Sequence, residues 1–458
     1  MRRAVVVATI VGCLLALTGG LARAQAPAPA STASAAAPTP AAAGVAAADG
    51  DSTTTQRRRS AYRVSRGVTF NNPLAPSRDK KFSILRKIHG AIQHTHRGQT
   101  IKVMSWNIMY MSSVDALLDA QRRGVKLWIL MDQENYTAEV PNEPWRRLKA
   151  GIRAWNARHK PKYRNHVKVC EKACRRGHVG AAHSKFFLFS KVGATRNVLI
   201  EGGNNLTLAS ATNQWNEVYT FVENPGVYAF ADKIFQEMWR DRTPKEPWAS
   251  YRDDSGTFDL YFSPEKNNYR AGDDPLEAAL TNTRCTGATG GAGDLRHRTV
   301  IRAAPDVIRG HRGMRVAKLL RQRWNEGCNI RIAYTVMGKD VYRLLKAKGP
   351  RGPVPIRHVV QDFNGDKEFD RYFHLKVWTI NGVMGGGTER YWALNGSSNI
   401  SDYSASSDEN MGVFRRRNVV LKYENHVSYW YDHPPKSRAV VRSRITGPVD
   451  PYRNIDLD

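Results

Sequence analysis

Two tripeptides, His183-Ser184-Lys185 and His374-Leu375-Lys376, constrain this chain more than any other feature. Each opens an apolar run of strand character, Phe186 to Phe189 in one and Val377 to Ile380 in the other. Downstream of each stands a Gly-containing turn ending in Asn: Gly202-Gly203-Asn204-Asn205 and Gly396-Ser397-Ser398-Asn399. A Glu beside another apolar run follows, Glu217 in the first copy and Glu409 in the second. The histidines lie 191 residues apart, the turns 194 and the glutamates 192. Landmarks that keep step this closely over so long a span mark a duplicated unit, not a short-period solenoid. One His-x-Lys is commonplace; two in register with the same companions are not.

The chain around these landmarks also reads twice. In the first copy, Phe82, Leu85, Ile88 and Ile92 recur at helical spacing, with Gly98 as a stop. Ile101 to Ile108 reads as a strand, Val114 to Arg123 as a helix, and Val125 to Met131 as a buried strand. Trp145, Leu148, Ile152 and Trp155 mark a further helix face, and Val227 to Trp239 a closing helix. In the second copy, Tyr261-Phe262-Ser263-Pro264 repeats Phe70-Asn71-Asn72-Pro73. Strands are expected at Thr299 to Ala303 and Ile330 to Val336, with helices around Val316 to Trp324 and Val341 to Lys348. Alternating strands and helices predict an α/β layer structure, with repeats at 61–250 and 251–458. The Gly- and Thr-rich stretch Thr281 to Gly293 is expected to be a surface loop. His89, His94 and His96 lie on or after the first helix, and the His94-x-His96 pair is expected at the surface rather than on a metal.

The N-terminus predicts export. Met1-Arg2-Arg3, the apolar run Ala4 to Leu17 and the small-x-small pattern Ala22-Arg23-Ala24 form a secretory signal peptide, residues 1–24. Residues 25–60 are mostly Ala, Pro, Ser and Thr and are expected to be a disordered linker. Four cysteines then remain, Cys170, Cys174, Cys285 and Cys328. An even count in an exported chain predicts two disulfides. Of the three pairings, local proximity favours Cys170–Cys174, leaving Cys285–Cys328. The formal charge is +29. Removal of Arg2, Arg3 and Arg23 with the leader makes it +26. Such a charge favours anionic partners and says nothing about fold.

The residue types in the paired motif suit phosphodiester cleavage. The diester's own negative charge repels nucleophiles, and lysines offset it. A neutral His can attack phosphorus and form a covalent intermediate. A second, protonated His can supply a proton to the leaving oxygen and later take one from water. Residues two apart on a strand share a face, so His-x-Lys aims imidazole and ammonium at one pocket. A Glu on the far ring nitrogen would fix the tautomer. No cofactor or metal is required by this chemistry.

The doubled set of H-x-K, G-[GS]-x-N and a following Glu resembles the phospholipase D superfamily, over about residues 65 to 425, and is similar to its secreted actinobacterial-type members. The resemblance implies two mixed-sheet α/β halves flanked by helices, related by a pseudo-twofold axis, with the active site at their interface. It implies His183 as nucleophile through a phosphohistidine and His374 as general acid. Lys185, Lys376, Asn205 and Asn399 would bind substrate phosphate, and Glu217 and Glu409 would orient the histidines. The family's Asp seven residues after each His is replaced by Ser190 and Asn381. The expected substrate is a glycerophospholipid at a membrane or micelle surface. Nucleic acid is the second candidate and a cardiolipin synthase the third, with a non-catalytic anionic-lipid-binding role as the alternative from a different class. With both half-sites in one chain, a monomer is expected.

Overall fold

The computed structural model describes residues 61–176, 179–265, 274–437, 450–452 and 455. The expected signal peptide and linker lie outside them. Seven strands build the first sheet: β1 (Gly67–Phe70), β2 (Thr100–Ser105), β3 (Lys126–Asp132), β4 (His166–Cys170), β5 (Lys185–Val192), β6 (Thr195–Gly202) and β7 (Glu217–Phe221). Their spatial order is β1-β7-β6-β5-β2-β3-β4. The second sheet uses β8 (Phe258–Phe262), β9 (Val300–Pro305), β10 (Asn329–Tyr334), β11 (Ile356–His358), β12 (Lys376–Met384), β13 (Gly387–Gly396) and β14 (Asn410–Phe414). Its order, β8-β14-β13-β12-β9-β10-β11, is the same with every number raised by seven. The pairings agree in direction as well. β2–β3, β3–β4, β9–β10 and β10–β11 are parallel, and the rest of both ladders is antiparallel. An extra strand, Ala249–Arg252, pairs with the outer side of β8.

Parallel neighbours need crossover helices. In the first half α2 (Met111–Arg122) and α3 (Glu143–Arg158) fill that role, preceded by α1 (Ser83–Gln93) between β1 and β2, and α4 (Pro225–Arg240) closes the half. The second half matches them with α5 (Pro275–Thr281), α6 (Gly310–Asn325), α7 (Lys339–Lys346) and α8 (Arg417–Asp432). Each half has its own apolar layer, including Ile88, Leu117 and Ile129 in one and Leu320, Ile332 and Trp378 in the other. A third core is shared: Phe186 and Phe235 pack in one cluster with Phe262, Phe373 and Tyr423. Burial of this joint core holds the two halves together, each large apolar side chain contributing about 1.5–3 kcal/mol.

Both expected disulfides are present, Cys170–Cys174 and Cys285–Cys328. The stretch Thr281 to Gly293 departs from its expected character. It carries a short strand, Thr283–Arg284, paired to the far end of β12, and Cys285, Ala288 and Ala292 are buried. The disulfide and that pairing hold it against the sheet. His94 and His96 are half-buried rather than exposed, and His89 is half-buried as well. His89 Nε2 lies 2.8 Å from Ser113 Oγ, and His94 stacks on Tyr62 at 3.8 Å.

Candidate active site

Lys185 and Lys376 are the first residues of β5 and β12, and each histidine sits just before its strand. All four side chains are buried. Lys185 Nζ donates to the His183 carbonyl at 2.6 Å, and Lys376 Nζ to that of His374 at 3.3 Å. The same local bond thus sets each ammonium beside its own histidine.

Short pairings across the seam bring each histidine to the other half. Strand Arg371–Phe373 runs parallel to Gln214–Trp215, with Phe373 opposite Trp215. The next residues are His374 and Asn216, and His374 Nδ1 lies 2.7 Å from Asn216 Oδ1. Asn216 Nδ2 donates to Ser210 O and Gln214 Oε1, both at 3.1 Å. Its oxygen therefore faces the ring, and the ring nitrogen is the donor. In the other copy Asp408 N donates to Ala181 O at 2.9 Å, and His183 Nδ1 stands 3.0 Å from both carboxylate oxygens of Glu409. An acceptor on each Nδ1 turns each Nε2 toward the chemistry.

The register of the repeat corrects the expected role of Glu217. Phe70 in β1 pairs with Glu217, and Phe262 in β8 pairs with Asn410. Glu217 therefore corresponds to Asn410, and Glu409 to Asn216. Among the described residues Glu217 does not meet a histidine. Its Oε2 accepts from Asn395 Nδ2 at 2.9 Å and from the Tyr423 hydroxyl at 2.8 Å. Glu201 completes this buried seam, accepting from Asn395 at 3.1 Å and Asn410 at 2.9 Å. Burial raises the pKa of both glutamates, and for Glu201 the charge of Glu217 adds to it. The Asn410 Oδ1 accepts from Lys185 N at 2.8 Å, so the seam network also anchors the start of β5.

Glu409 is a different carboxylate. Burial would raise it, but His183 and Lys185 outweigh burial, helped by a Ser397 hydrogen bond, and hold it at about 2. Ser397 and Ser404 hydroxyls both donate to it. At the Ser397 position the first copy has Gly203, matching a neutral Asn216 that has no charge to be stabilised. The glycine preceding each, Gly202 and Gly396, has positive φ, and a side chain there would strike the carbonyl of Glu217 or Asn410. This close approach explains the motif's leading Gly.

Asn205 and Asn399 lie on the loops after β6 and β13, both buried. Val307 N donates to Asn399 Oδ1 at 3.3 Å, and Arg312 holds its carbonyl at 2.7 Å. Asn399 Nδ2 and Asn205 Oδ1 make no hydrogen bond among the described residues. Ser190 and Asn381 stand further along their strands as structural ties. Ser190 Oγ accepts from Thr100 N at 2.9 Å, and Asn381 Oδ1 accepts from Gly293 N at 3.0 Å.

Several contributors carry no motif. Asp132, ending β3, accepts from Ala182 N at 2.6 Å, and Thr335, just after β10, donates to Phe373 O at 2.8 Å. Each fixes the residue directly before a histidine. Burial pushes Asp132 up to about 7, against the pull of the Ala182 and Glu134 amides. The residues after β2 and β9 differ more. Trp106 sets its ring 5.5 Å from both the His183 ring and the Lys185 ammonium. At the same place Asp306 lies 2.9 Å from Lys376 Nζ and 3.9 Å from His374 Nε2. No spacing rule in the sequence marks either one, because strand pairing alone brings them to the histidines.

Residues 88–239 match the family model described as a cardiolipin synthase, phospholipase D-like domain. The matched stretch carries His183, Lys185, Asn205 and Glu217. No curated protein matches the chain. Among solved structures, phosphatidylserine synthase from Haemophilus influenzae is similar at TM-score 0.49 and 10% identity, over 84% of this chain and 93% of that one. Polyphosphate kinase from Porphyromonas gingivalis is similar at TM-score 0.49 and 13% identity, over 80% of this chain and 50% of that one. This chain therefore spans half the kinase's length. Nuc from Salmonella typhimurium, a phospholipase D family member, is similar at TM-score 0.28 and 16% identity, over 39% of this chain and 96% of that one. Among the described residues no helix is long and apolar enough to cross a membrane.

Proposed function

We propose that the chain is an exported phosphodiesterase of phospholipase D type that hydrolyses a glycerophospholipid to phosphatidate and free head group. The observation that carries this reading is the pair of buried His-Lys units with unlike acceptors behind them, Glu409 on His183 and Asn216 on His374. An ionised carboxylate stabilises positive charge growing on the His183 ring, so His183 is the nucleophile. Its Nε2 attacks phosphorus, forming the N–P bond as the bond to the head-group oxygen breaks. His374 protonates that oxygen. Asp306, 3.9 Å from His374 Nε2, favours the protonated ring needed for this step. Water then attacks the phosphohistidine, His374 takes its proton, and the N–P bond breaks. Lys185 and Lys376 offset the nonbridging oxygens' charge, with Asn205 and Asn399 beside them.

A lipid substrate is supported by the matching family model, since cardiolipin is itself a phospholipid. It is also supported by two exposed side chains on the site's own loops, Leu208 after Asn205 and Tyr403 after Asn399. Export is supported by the two disulfides and the leader-like N-terminus. A nuclease is the second reading, favoured by the charge of +29.

The test is direct. Purified protein is incubated with EDTA and phosphatidylcholine plus ethanol, and separately with plasmid DNA. Phosphatidylethanol formation is the expected result, since an alcohol can intercept a phosphatidyl-enzyme. Nicked plasmid with untouched lipid would sink the lipid reading, and silence on both would favour a binding protein.

A further inference from the structure

The positive charge is unevenly placed. Residues 143–170 hold nine Lys and Arg against one acid, Glu143. They form α3, the connection after it and the edge strand β4. Between α3, β4 and the end of α4 lies a groove of about 550 Å³. Its wall carries Lys149, Arg153, Asn156, Arg164, His166 and Trp239, and no carboxylate lines it. Lys149, Arg153 and Asn156 follow one another on one face of α3, at the i, i+4, i+7 spacing. Arg153 and Arg164 have no ion-pair partner among the described residues. Two rings line the groove, His166 and Trp239, with centroids 5.9 Å apart, and Trp128 packs against them at 4.0 and 4.8 Å. Asn156 and Asn165 lock the walls, exchanging bonds of 2.8 and 2.9 Å across the groove's end.

This place is separate from the histidines. The groove lies at the start of β4, whereas the loop to His183 leaves from its other end at Cys170. Cations along a helix with recessed rings beneath are what a single strand of nucleic acid requires. Phosphates meet the cations, and bases stack on the rings. A bilayer plane fits less well, because the groove's rings, His166 and Trp239, are half-buried inside a concavity rather than protruding. We propose that this groove is a non-catalytic binding site for single-stranded nucleic acid. The inference is independent of which diester the histidines cleave.

The test uses the full chain carrying His183→Ala, so that the probe is not cut, and a fluorescein-labelled oligo(dT) of about 20 nucleotides, longer than one such groove engages. Adding Lys149→Ala, Arg153→Ala and Arg164→Ala should weaken binding at least about tenfold at 0.1 M salt. It should also lower the slope of log affinity against log salt by about 2, at roughly 0.7 per lost phosphate contact. A control removing Arg343, Lys346 and Lys348, all exposed on or just after α7, should change affinity less than about twofold. The three groove changes made with His183 intact should leave hydrolysis of bis(p-nitrophenyl) phosphate unaltered. Lysine acetylation gives a second readout without groove mutations: oligo(dT) should protect Lys149 and not Lys346. Equal losses in groove and control variants would overturn the proposal, as would unprotected Lys149. So would groove-dependent binding of phosphatidylglycerol vesicles or poly-glutamate with none of oligo(dT).

Discussion

The two halves share strand order, strand direction and the His-Lys unit, yet they surround their histidines with opposite chemistry. His183 has an ionised Glu409 behind it and Trp106 beside it. His374 has a neutral Asn216 behind it and Asp306 near its other nitrogen. The seam beneath is unequal as well: the first half contributes Glu201 and Glu217 where the second contributes Asn395 and Asn410. Duplication supplies two equivalent positions. The proposed reaction needs one nucleophile and one acid, and a few side chains on a common frame give the two histidines the unlike surroundings it calls for.

The difference can be broken from either side. His183→Ala should abolish turnover, while His374→Ala should still release p-nitrophenol once per site, because that leaving group needs no acid. Stopped-flow measurement of the burst distinguishes them. Next in size is Glu409→Gln, which leaves a hydrogen-bonding group but removes the charge. It should lower kcat about 10⁴-fold, the size of loss seen when a catalytic histidine loses its orienting carboxylate. Asn216→Ala should cost only about tenfold, the lower end of what positioning partners contribute. If the two losses were equal, the histidines would not be differentiated by their partners.

Asp306→Asn should have a smaller effect on rate and a visible one on pH. Losing a carboxylate near His374 Nε2 lowers that ring's pKa. The alkaline limb of kcat, which reports loss of the acid's proton, should then move to lower pH. An unmoved limb would remove Asp306 from the acid's environment.

The seam carboxylates predict a stability effect with a definite sign. Glu201 and Glu217 have raised pKa values in the folded protein. Above about pH 4.3, the ordinary glutamate value, the folded state holds protons that the unfolded chain releases, so stability falls as pH rises toward neutral. Glu409, held at about 2, acts the other way: its contribution is present above the ordinary glutamate value and is lost as pH falls through about 2. Urea unfolding of Glu201→Gln should show a flatter pH dependence between 5 and 8 than the parent. An unchanged or steeper one would contradict a Glu201 carboxyl that stays protonated in the folded seam.

The smallest contrast is between the disulfides. Cys285–Cys328 closes a separation of 43 residues and Cys170–Cys174 one of 4. Paired Ser substitutions should cost about 4 and about 2 kcal/mol respectively on the loop-entropy scale. The first-half bridge should matter more for activity, because the loop it closes is held to the other half through Asp408 and Cys174 N.

Much of this was legible before the fold was known. Hydrophobic period and Gly stops marked most strands and helices, and the repeated motif marked five seam residues: both histidines, both lysines and Glu409. β4 and β11 were missed because edge strands lack the continuous apolar run of central ones. α8 was missed although its buried Val420, Tyr423, Val427 and Trp430 keep a helical spacing. The Glu217 error has a different cause. The first half reads Asn216-Glu217 and the second Glu409-Asn410, the same two residue types in reverse order. Matching like letters aligned Glu with Glu, whereas strand pairing aligns Glu217 with Asn410. Asp132, Thr335, Trp106 and Asp306 left no trace, since their roles depend on which strand lies beside which.

The central claim is that the Glu409-backed histidine takes the phosphoryl group. The most direct measurement is to quench the enzyme in base during steady turnover of a phosphodiester and locate the phosphohistidine by peptide mass spectrometry. Modification on the peptide containing His183, lost in His183→Ala and accumulated in His374→Ala, is the predicted result. Modification on the His374 peptide would contradict it and reverse the two roles.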